Sequence, residues 1–247
     1  MGGSVLKLTV VGIGPGNEEN MTLRARKALE EAQVIVGYQV YVNLVKDRYP
    51  GKEFMTTGMT HETQRCRMAL EEAKKGKNVA MVCSGDSGVY GMAALCFELR
   101  GEEQEPQIEV VPGLTAACSG GAVLGAPLTH DFAVISLSDR LTPWEKIEKR
   151  LRCAAEGDFA IAIYNPKSKG RPEHLARACD ILLEILPETR LCGVVRNIGR
   201  TGEEARLMTL KELRHYDADM FCTLFIGNEM TRAIAGRLVT PRGYRDE

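Results

Sequence analysis

The sequence predicts two α/β domains in series. Unbroken apolar runs such as Val79–Cys83 and Phe159–Tyr164 suit strands buried on both faces of a parallel sheet. Helical patterns follow such runs along the chain, and the series starts afresh beyond Gly125-Ala126-Pro127. The boundary is therefore placed there, giving an N-terminal domain of residues 1–126 and a C-terminal domain of residues 127–247. Alternation of strand and helix in both halves predicts mainly parallel sheets.

Leu6–Val11 is the first expected strand, and Thr22 caps the helix after it. Val34–Val36 is the second strand, a short helical piece covers 38–48, and Glu53–Met55 reads as a weak strand. Thr60 is expected to cap a helix running to Lys75, with Gly76 as its stop. Val79–Cys83 leads through Ser84-Gly85-Asp86-Ser87-Gly88 into a helix expected over Val89–Leu99, and Ile108–Val111 follows as a strand. Residues 115–125 are nearly all small, which suits a helix lying close to a sheet or to a planar ligand. In the second half, strands are expected at Phe132–Ser136, Phe159–Tyr164, Leu191–Val195, Ala205–Thr209 and Phe221–Ile226. Thr142-Pro143-Trp144-Glu145 reads as a capping box that starts a helix to about Ala155, and Pro172 starts another reaching Leu186.

Composition narrows the function. With 32 Lys and Arg against 33 Asp and Glu, the net charge of −1 disfavours nucleic acid as the main partner. No apolar run approaches a bilayer span and no signal-peptide pattern opens the chain, so a cytoplasmic protein without membrane contact is expected. Met1-Gly2-Gly3-Ser4 reads as a flexible lead-in. The eight cysteines are isolated, with no C-x-x-C pair, and lie mostly inside apolar segments, the usage of small buried hydrophobes in a reducing compartment. No metal site is expected.

Two glycine loops stand at the ends of expected strands. Gly12-Ile13-Gly14-Pro15-Gly16 invites a dinucleotide reading, which fails because Pro15 and the polar run 17–20 separate it from the helix. The second strand is also followed by Gly37-Tyr38 and not by the acid that would hold a ribose. In the second loop Gly85 and Gly88 permit close approach of a ligand to the main chain. Asp86 is either the charge of a ligand site or an ordinary helix cap.

Taken together these loops resemble those of the tetrapyrrole (corrin/porphyrin) methyltransferases. The matching pieces are G-I-G-P-G at 12–16, G-D-S-G-V-Y-G at 85–91, V-P-G-L-T-A at 111–116 and G-A-P-L at 125–128. Within that family, H-D-F-A-V-I-S-L-S-D at 130–139, L-T-P-W at 141–144, Y-N-P-K-S-K-G-R at 164–171 and T-P-R-G-Y at 240–244 resemble the C17-methylating branch. Ser87 departs from the proline found in most of the wider family. The resemblance implies two α/β domains with S-adenosyl-L-methionine in the cleft between them, the class III methyltransferase fold, and commonly a homodimer. Its cofactor contacts carry over to Pro15, Gly85, Asp86, Ser87, Tyr90, Thr115 and Ala116. In the second half they carry over to Tyr164, Asn165, Arg196, Asn197, Ile226, Gly227 and Asn228. The implied reaction is methyl transfer to C17 of precorrin-3B or cobalt-factor III with ring contraction, in cobalamin biosynthesis, leaving S-adenosyl-L-homocysteine. A methylase of the same fold acting at another tetrapyrrole carbon is the alternative. Leu44-Val45-Lys46 and the reduced cysteines lean toward the cobalt-bound substrate.

The residue chemistry is compatible with this. Transfer from a sulfonium needs positioning in a dry site more than it needs a nucleophile. Ring contraction also needs proton transfer, for which His130, Asp131 and Asp139 are candidates, although His130 and Asp131 could equally serve to shape the start of a strand. Lys167, Lys169, Arg171, Arg196 and Arg200 lie in two expected strand-end loops and can receive the carboxylates of a macrocycle.

Overall fold

The computed structural model describes residues 6–244, so the lead-in Met1–Ser4 lies outside the described residues. The chain divides into two compact units, the first ending at Ala116 and the second beginning at Ala117. This division falls ahead of the 126/127 position expected from the sequence, because the small-residue helix packs with the second sheet.

The first unit contains β1 (Lys7–Gly12), α1 (Leu23–Glu31), β2 (Val34–Tyr38), α2 (Gln39–Val42), a 3₁₀ turn (Lys46–Arg48), β3 (Glu53–Thr57), α3 (Glu62–Lys74), β4 (Val79–Cys83), α4 (Ala93–Arg100) and β5 (Gln107–Val111). Its five strands are ordered β3-β2-β4-β1-β5, and every pair is parallel. All five carboxyl ends therefore lie on one edge of the sheet. Val79–Cys83 is buried throughout, as its unbroken apolar run requires. Ala25 and Leu29 of α1 pack with Val11, Ile35 and Val82, whereas Cys66 and Ala69 of α3 and Ala93 and Cys96 of α4 pack with Val10, Val36 and Met81. The neighbours β1 and β4 thus send their chains to opposite faces, the arrangement that opens a ligand-binding crevice at strand ends.

Local signals held in part. Thr22 Oγ1 accepts the Ala25 N–H at 3.1 Å and caps α1 as expected. Thr60 does not cap α3; it sits at φ +73°, His61 occupies the cap position, and the helix starts at Glu62. The helix expected from Val89 begins only at Ala93. Tyr90 is left-handed (φ +54°), and a Cβ on Gly91 would lie 2.3 Å from the Ser87 carbonyl oxygen, so this stretch is a folded loop.

The second unit contains α5 (Ala116–Leu124, its first residue being the last of the first unit), β6 (Gly125–Ala126), β7 (Phe132–Ser136), α6 (Trp144–Glu156), β8 (Ala160–Tyr164), α7 (His174–Leu183), β9 (Leu191–Arg196), β10 (Glu204–Thr209), α8 (Leu210–Leu213), β11 (Cys222–Ile226), β12 (Arg232–Ile234) and β13 (Arg237–Val239). Its main sheet, β10-β9-β11-β8-β7, is not mainly parallel: of its neighbouring strands only β7 and β8 pair in parallel, while β11 opposes both β8 and β9 and β10 opposes β9. The detour through β10 and α8 brings the chain back for an antiparallel return. Ile147 and Leu151 of α6, Leu175 and Leu182 of α7 and Leu210 of α8 cover one face. On the other face a Cβ on Gly120 of α5 would meet Ile198 at 2.8 Å and the Phe225 ring at 3.0 Å, so the small residues serve tight packing on the sheet. Thr142 does not form a capping box, because Pro143 itself holds the cap position of α6 without a side-chain bond. No helix among the described residues is long and apolar enough to cross a membrane.

Candidate active site

At the carboxyl edge of the first unit three loops are bonded into one cluster. Gly14 and Gly85 exchange main-chain hydrogen bonds at 3.0 and 2.8 Å, joining the loops that follow β1 and β4. Asp86 then ties in the loop after β5: its Oδ2 accepts the Gly113 N–H at 2.9 Å, and its Oδ1 accepts from Gly88 and Val89 at 2.7 and 3.0 Å. Ser87 is fully buried, and its hydroxyl donates to the Val111 carbonyl at 2.9 Å. Asp86 and Ser87 therefore hold the loops in place from within, and Asp86 is not the helix cap considered above, a position that Met92 occupies.

Glycine is required where these loops stack. A Cβ on Gly113 would stand 2.2 Å from the Gly85 oxygen and 2.6 Å from the Gly12 oxygen. A Cβ on Gly12 would lie 2.6 Å from Gly113 N. Gly85 (φ +69°) has its Cβ direction toward Leu114 O and Thr115 Cα, both at 3.7 Å. The result is an edge poor in side chains and rich in main-chain donors and acceptors, flanked by Pro15, exposed Tyr90, Thr115 and Ala116. Such an edge can meet a ligand through main-chain hydrogen bonds.

In the second unit the sheet direction separates the candidate residues. β7, β8 and β9 end on one edge, carrying Tyr164-Asn165 and Arg196-Asn197. β11 runs the other way and pairs Ile226 with Ile161 and Cys192, so Ile226-Gly227-Asn228 lies on the opposite edge. There Asn228 is buried and takes the Thr231 hydroxyl and the Met230 N–H, while Thr240 binds Thr231 and the Pro127 carbonyl. On the first edge the Tyr164 hydroxyl accepts the Ala117 N–H at 2.6 Å, satisfying a first-turn donor of α5. Asn165 (φ +52°) donates to Ser136 Oγ at 2.9 Å, and Asn197 (φ +53°) to the Gly202 carbonyl at 3.3 Å.

The same division separates the acid–base candidates. His130 and Asp131 precede β7, and the Asp131 carbonyl accepts the Ala160 N–H at the start of β8. Asp139 follows β7 at the other edge. It pairs with the Arg171 guanidinium, which holds its carboxyl below the usual carboxylate range, and His174 Nε2 lies 3.5 Å away. His174 is buried against Trp144, with ring centroids 4.7 Å apart, and its Nδ1 is 2.9 Å from the Leu137 carbonyl. That carbonyl can only accept, so Nδ1 carries a proton and fixes the ring orientation. Sequence patterning did not single out His174, since it reads as a polar first position of a helix.

Among the expected cations, Lys167 Nζ pairs with Asp217 at 2.8 Å, and Arg196 donates to the Asp217 carbonyl at 3.0 Å and faces Asp219 at 3.4 Å. The segment at 217–219 thus joins the loops after β8 and β9. Lys169 is exposed, and Arg200 stacks 5.9 Å from the Phe221 ring.

The parallel first sheet, its glycine-loop cluster and the companion α/β unit are those of one class of methyl-transferring enzymes. The chain belongs to the Tetrapyrrole (Corrin/Porphyrin) Methylases, whose family pattern matches residues 7–214. It is 46% identical over 238 residues, 96% of this chain and 99% of the other, to a Salmonella typhimurium protein named probable cobalt-factor III C(17)-methyltransferase. It is 40% identical over 246 residues, 96% of each chain, to a precorrin-3B C(17)-methyltransferase of Sinorhizobium sp. The crystal structure of the methyltransferase CobJ matches with a TM-score of 0.88 at 40% identity, covering 95% of this chain and 99% of that one.

Proposed function

We propose that this chain transfers a methyl group from S-adenosyl-L-methionine to C17 of a cobalt-factor III-type macrocycle with ring contraction, a step of cobalamin biosynthesis. Near-full-length identity to a relative named for that reaction carries the reading, and the identity of 46% against 40% for the precorrin-3B relative supports the cobalt-bound substrate. The donor supplies its own leaving group, so catalysis rests on placement. Main-chain groups around Gly14, Gly85 and Gly113, with Pro15, Tyr90, Thr115 and Ala116, hold the donor. Asp86 and Ser87 keep that surface in shape. Arg171, Arg196, Lys167, Lys169 and Arg200 receive carboxylates of the ring, and Asp139, steadied by Arg171 and His174, is the better placed of the acid–base candidates. A homodimer working in the cytoplasm belongs to the same proposal.

The test is incubation with cobalt-bound and cobalt-free C20-methylated precursor plus methyl donor, followed by mass spectrometry and NMR of the product. Methylation at C17 of the cobalt form is expected. A methyl group at another ring carbon would assign the chain to the alternative methylase, and no transfer to either precursor would overturn the reading.

A further inference from the structure

Arg65 is a buried cation with no acidic partner among the described residues. It lies on α3 at 5% exposure, and among the described residues no carboxylate oxygen comes within 4.0 Å of it. Its Nε donates to Thr57 Oγ1 at 3.0 Å and Nη2 to the Gly58 carbonyl at 2.9 Å. Among the described residues Nη1 has only the Met92 thioether at 3.9 Å, a weak acceptor at long range, and the Tyr38 ring centroid stands 5.7 Å from Cζ. Buried charges are ordinarily paired, because removal from water is repaid only by a close counter-charge and full hydrogen bonding. Neutral acceptors and one aromatic face meet that need in part.

The position of this guanidinium explains what could complete it. Tyr38 ends β2, Thr57 ends β3, and Met92 closes the loop that follows β4. All three belong to the edge of the parallel sheet on which the loops of Gly14, Gly85 and Gly113 meet. Tyr38, Thr57 and Met92 are each only partly buried, and Gly58 and Met59 are exposed, so solvent lies close to a cation held in place by two neutral acceptors.

We propose that Arg65 is a carboxylate-binding residue at this edge, its Nη1 donating to a ligand carboxylate that supplies the missing counter-charge. The proposal rests on the methyltransferase reading for the source of that carboxylate. Two sources share the chemistry: the amino-acid end of the methyl donor, and an acid side chain of the macrocycle. Arginine at 65 escapes a sequence reading because it sits inside a helix, where a charged residue is normally a solvated one.

Arg65→Met keeps the volume and removes the charge, and Arg65→Lys keeps the charge without the fork. Titration calorimetry of wild type and both variants would use S-adenosyl-L-homocysteine in one arm and the C20-methylated cobalt precursor in the other. In Arg65→Met, affinity in one arm is expected to fall about tenfold or more, which identifies the source. The ligand-free melting temperature is expected to stay level or rise, since an unpaired buried charge has been removed. A loss greater than about fivefold in either arm carries the proposal, and a smaller change in both overturns it. Should Arg65→Met fail to fold, Arg65→Lys is judged by the same criterion. A wild type that binds neither ligand overturns the methyltransferase reading instead. In that case succinate decides: it should raise the melting temperature of wild type and not of the Arg65 variants, and equal shifts overturn the carboxylate site.

Discussion

Asp86 reaches across from the loop after β4 to take the Gly113 N–H at 2.9 Å, with its second oxygen bound to its own turn through Gly88 and Val89. One carboxylate therefore closes three main-chain donors and sets the distance between two loops. A side chain committed in this way fastens the loops together through main-chain donors.

Replacing Asp86 by asparagine tests this. The amide keeps one acceptor but must turn its NH₂ either toward Gly113 N–H or toward the Gly88 turn. We expect a loss of about 1–3 kcal/mol in urea denaturation, from one unsatisfied donor, together with weaker binding of S-adenosyl-L-homocysteine. Unchanged stability combined with lost binding would instead make Asp86 a direct ligand contact.

Gly113→Ala is expected to be among the most damaging small substitutions in the first unit. Its Cβ would lie 2.2 Å from the Gly85 oxygen, and both neighbours are main chain that cannot swing aside. A cost of about 1–3 kcal/mol follows from overpacking. Gly170→Ala, with nothing within 4 Å of its Cβ, is the control and should stay within about 0.5 kcal/mol of wild type. Chemical denaturation of the pair, side by side, checks the difference.

Much of this framework could be read from residue patterns, and the failures have local causes. Val79–Cys83 and Ala160–Tyr164 were legible because burial on both faces leaves no polar alternation. Thr22 was legible because a cap is a short-range device. The late start of α4 was not, since it depends on Gly91 lying against the Ser87 carbonyl and on a left-handed Tyr90. Nor was the reversal of β11, which is set by how β9, β10 and α8 fold back. That reversal moves Asn228 to the far edge from Asn165 and Asn197, which no spacing along the chain reveals. His174 and Arg65 were missed because helical periodicity assigns polar residues to solvent, whereas both are buried by partners distant in sequence.

The Asp139–Arg171 pair has a pH signature. The guanidinium, followed by His174, lowers the Asp139 carboxyl from its ordinary value. An unfolded aspartate titrates near about 3.9. With the folded value below that, the pair's contribution to stability is present in full above the unfolded value and is lost as pH falls through the folded one. Arg171→Met should therefore bring the Asp139 carboxyl back toward the ordinary range in carbon-detected NMR titration. The stability gap between wild type and Arg171→Met should also narrow on acidification through that window. An Asp139 titration that does not move in the variant would refute the assignment.

Tyr164→Phe removes the acceptor for the Ala117 N–H and leaves the first turn of α5 with an unmet donor. The expected loss is about 1–3 kcal/mol. Faster amide exchange at Ala117, read by NMR, distinguishes this cause from general loosening of the unit.

Cysteine reactivity provides a test that does not depend on substrate. All eight thiols are free; six are buried, in keeping with cysteines that lie mostly inside apolar segments, and Cys118 and Cys153 are exposed. Burial pushes the Cys83 thiol up to about 12 and the Cys179 thiol likewise to about 12, and raises Cys192 and Cys222 as well. A thiol that does not ionise near neutrality is neither a nucleophile nor a ready methyl acceptor. This matters most for Cys83, whose carbonyl binds the Ile13 N–H beside the glycine loops. Under native alkylation at mildly alkaline pH, peptide mass spectrometry should find Cys118 and Cys153 modified first and Cys83 only after denaturant is added. Labelling of Cys83 as fast as Cys118 would mean that the loop cluster opens readily, and the account of Asp86 as its fastening would fail with it.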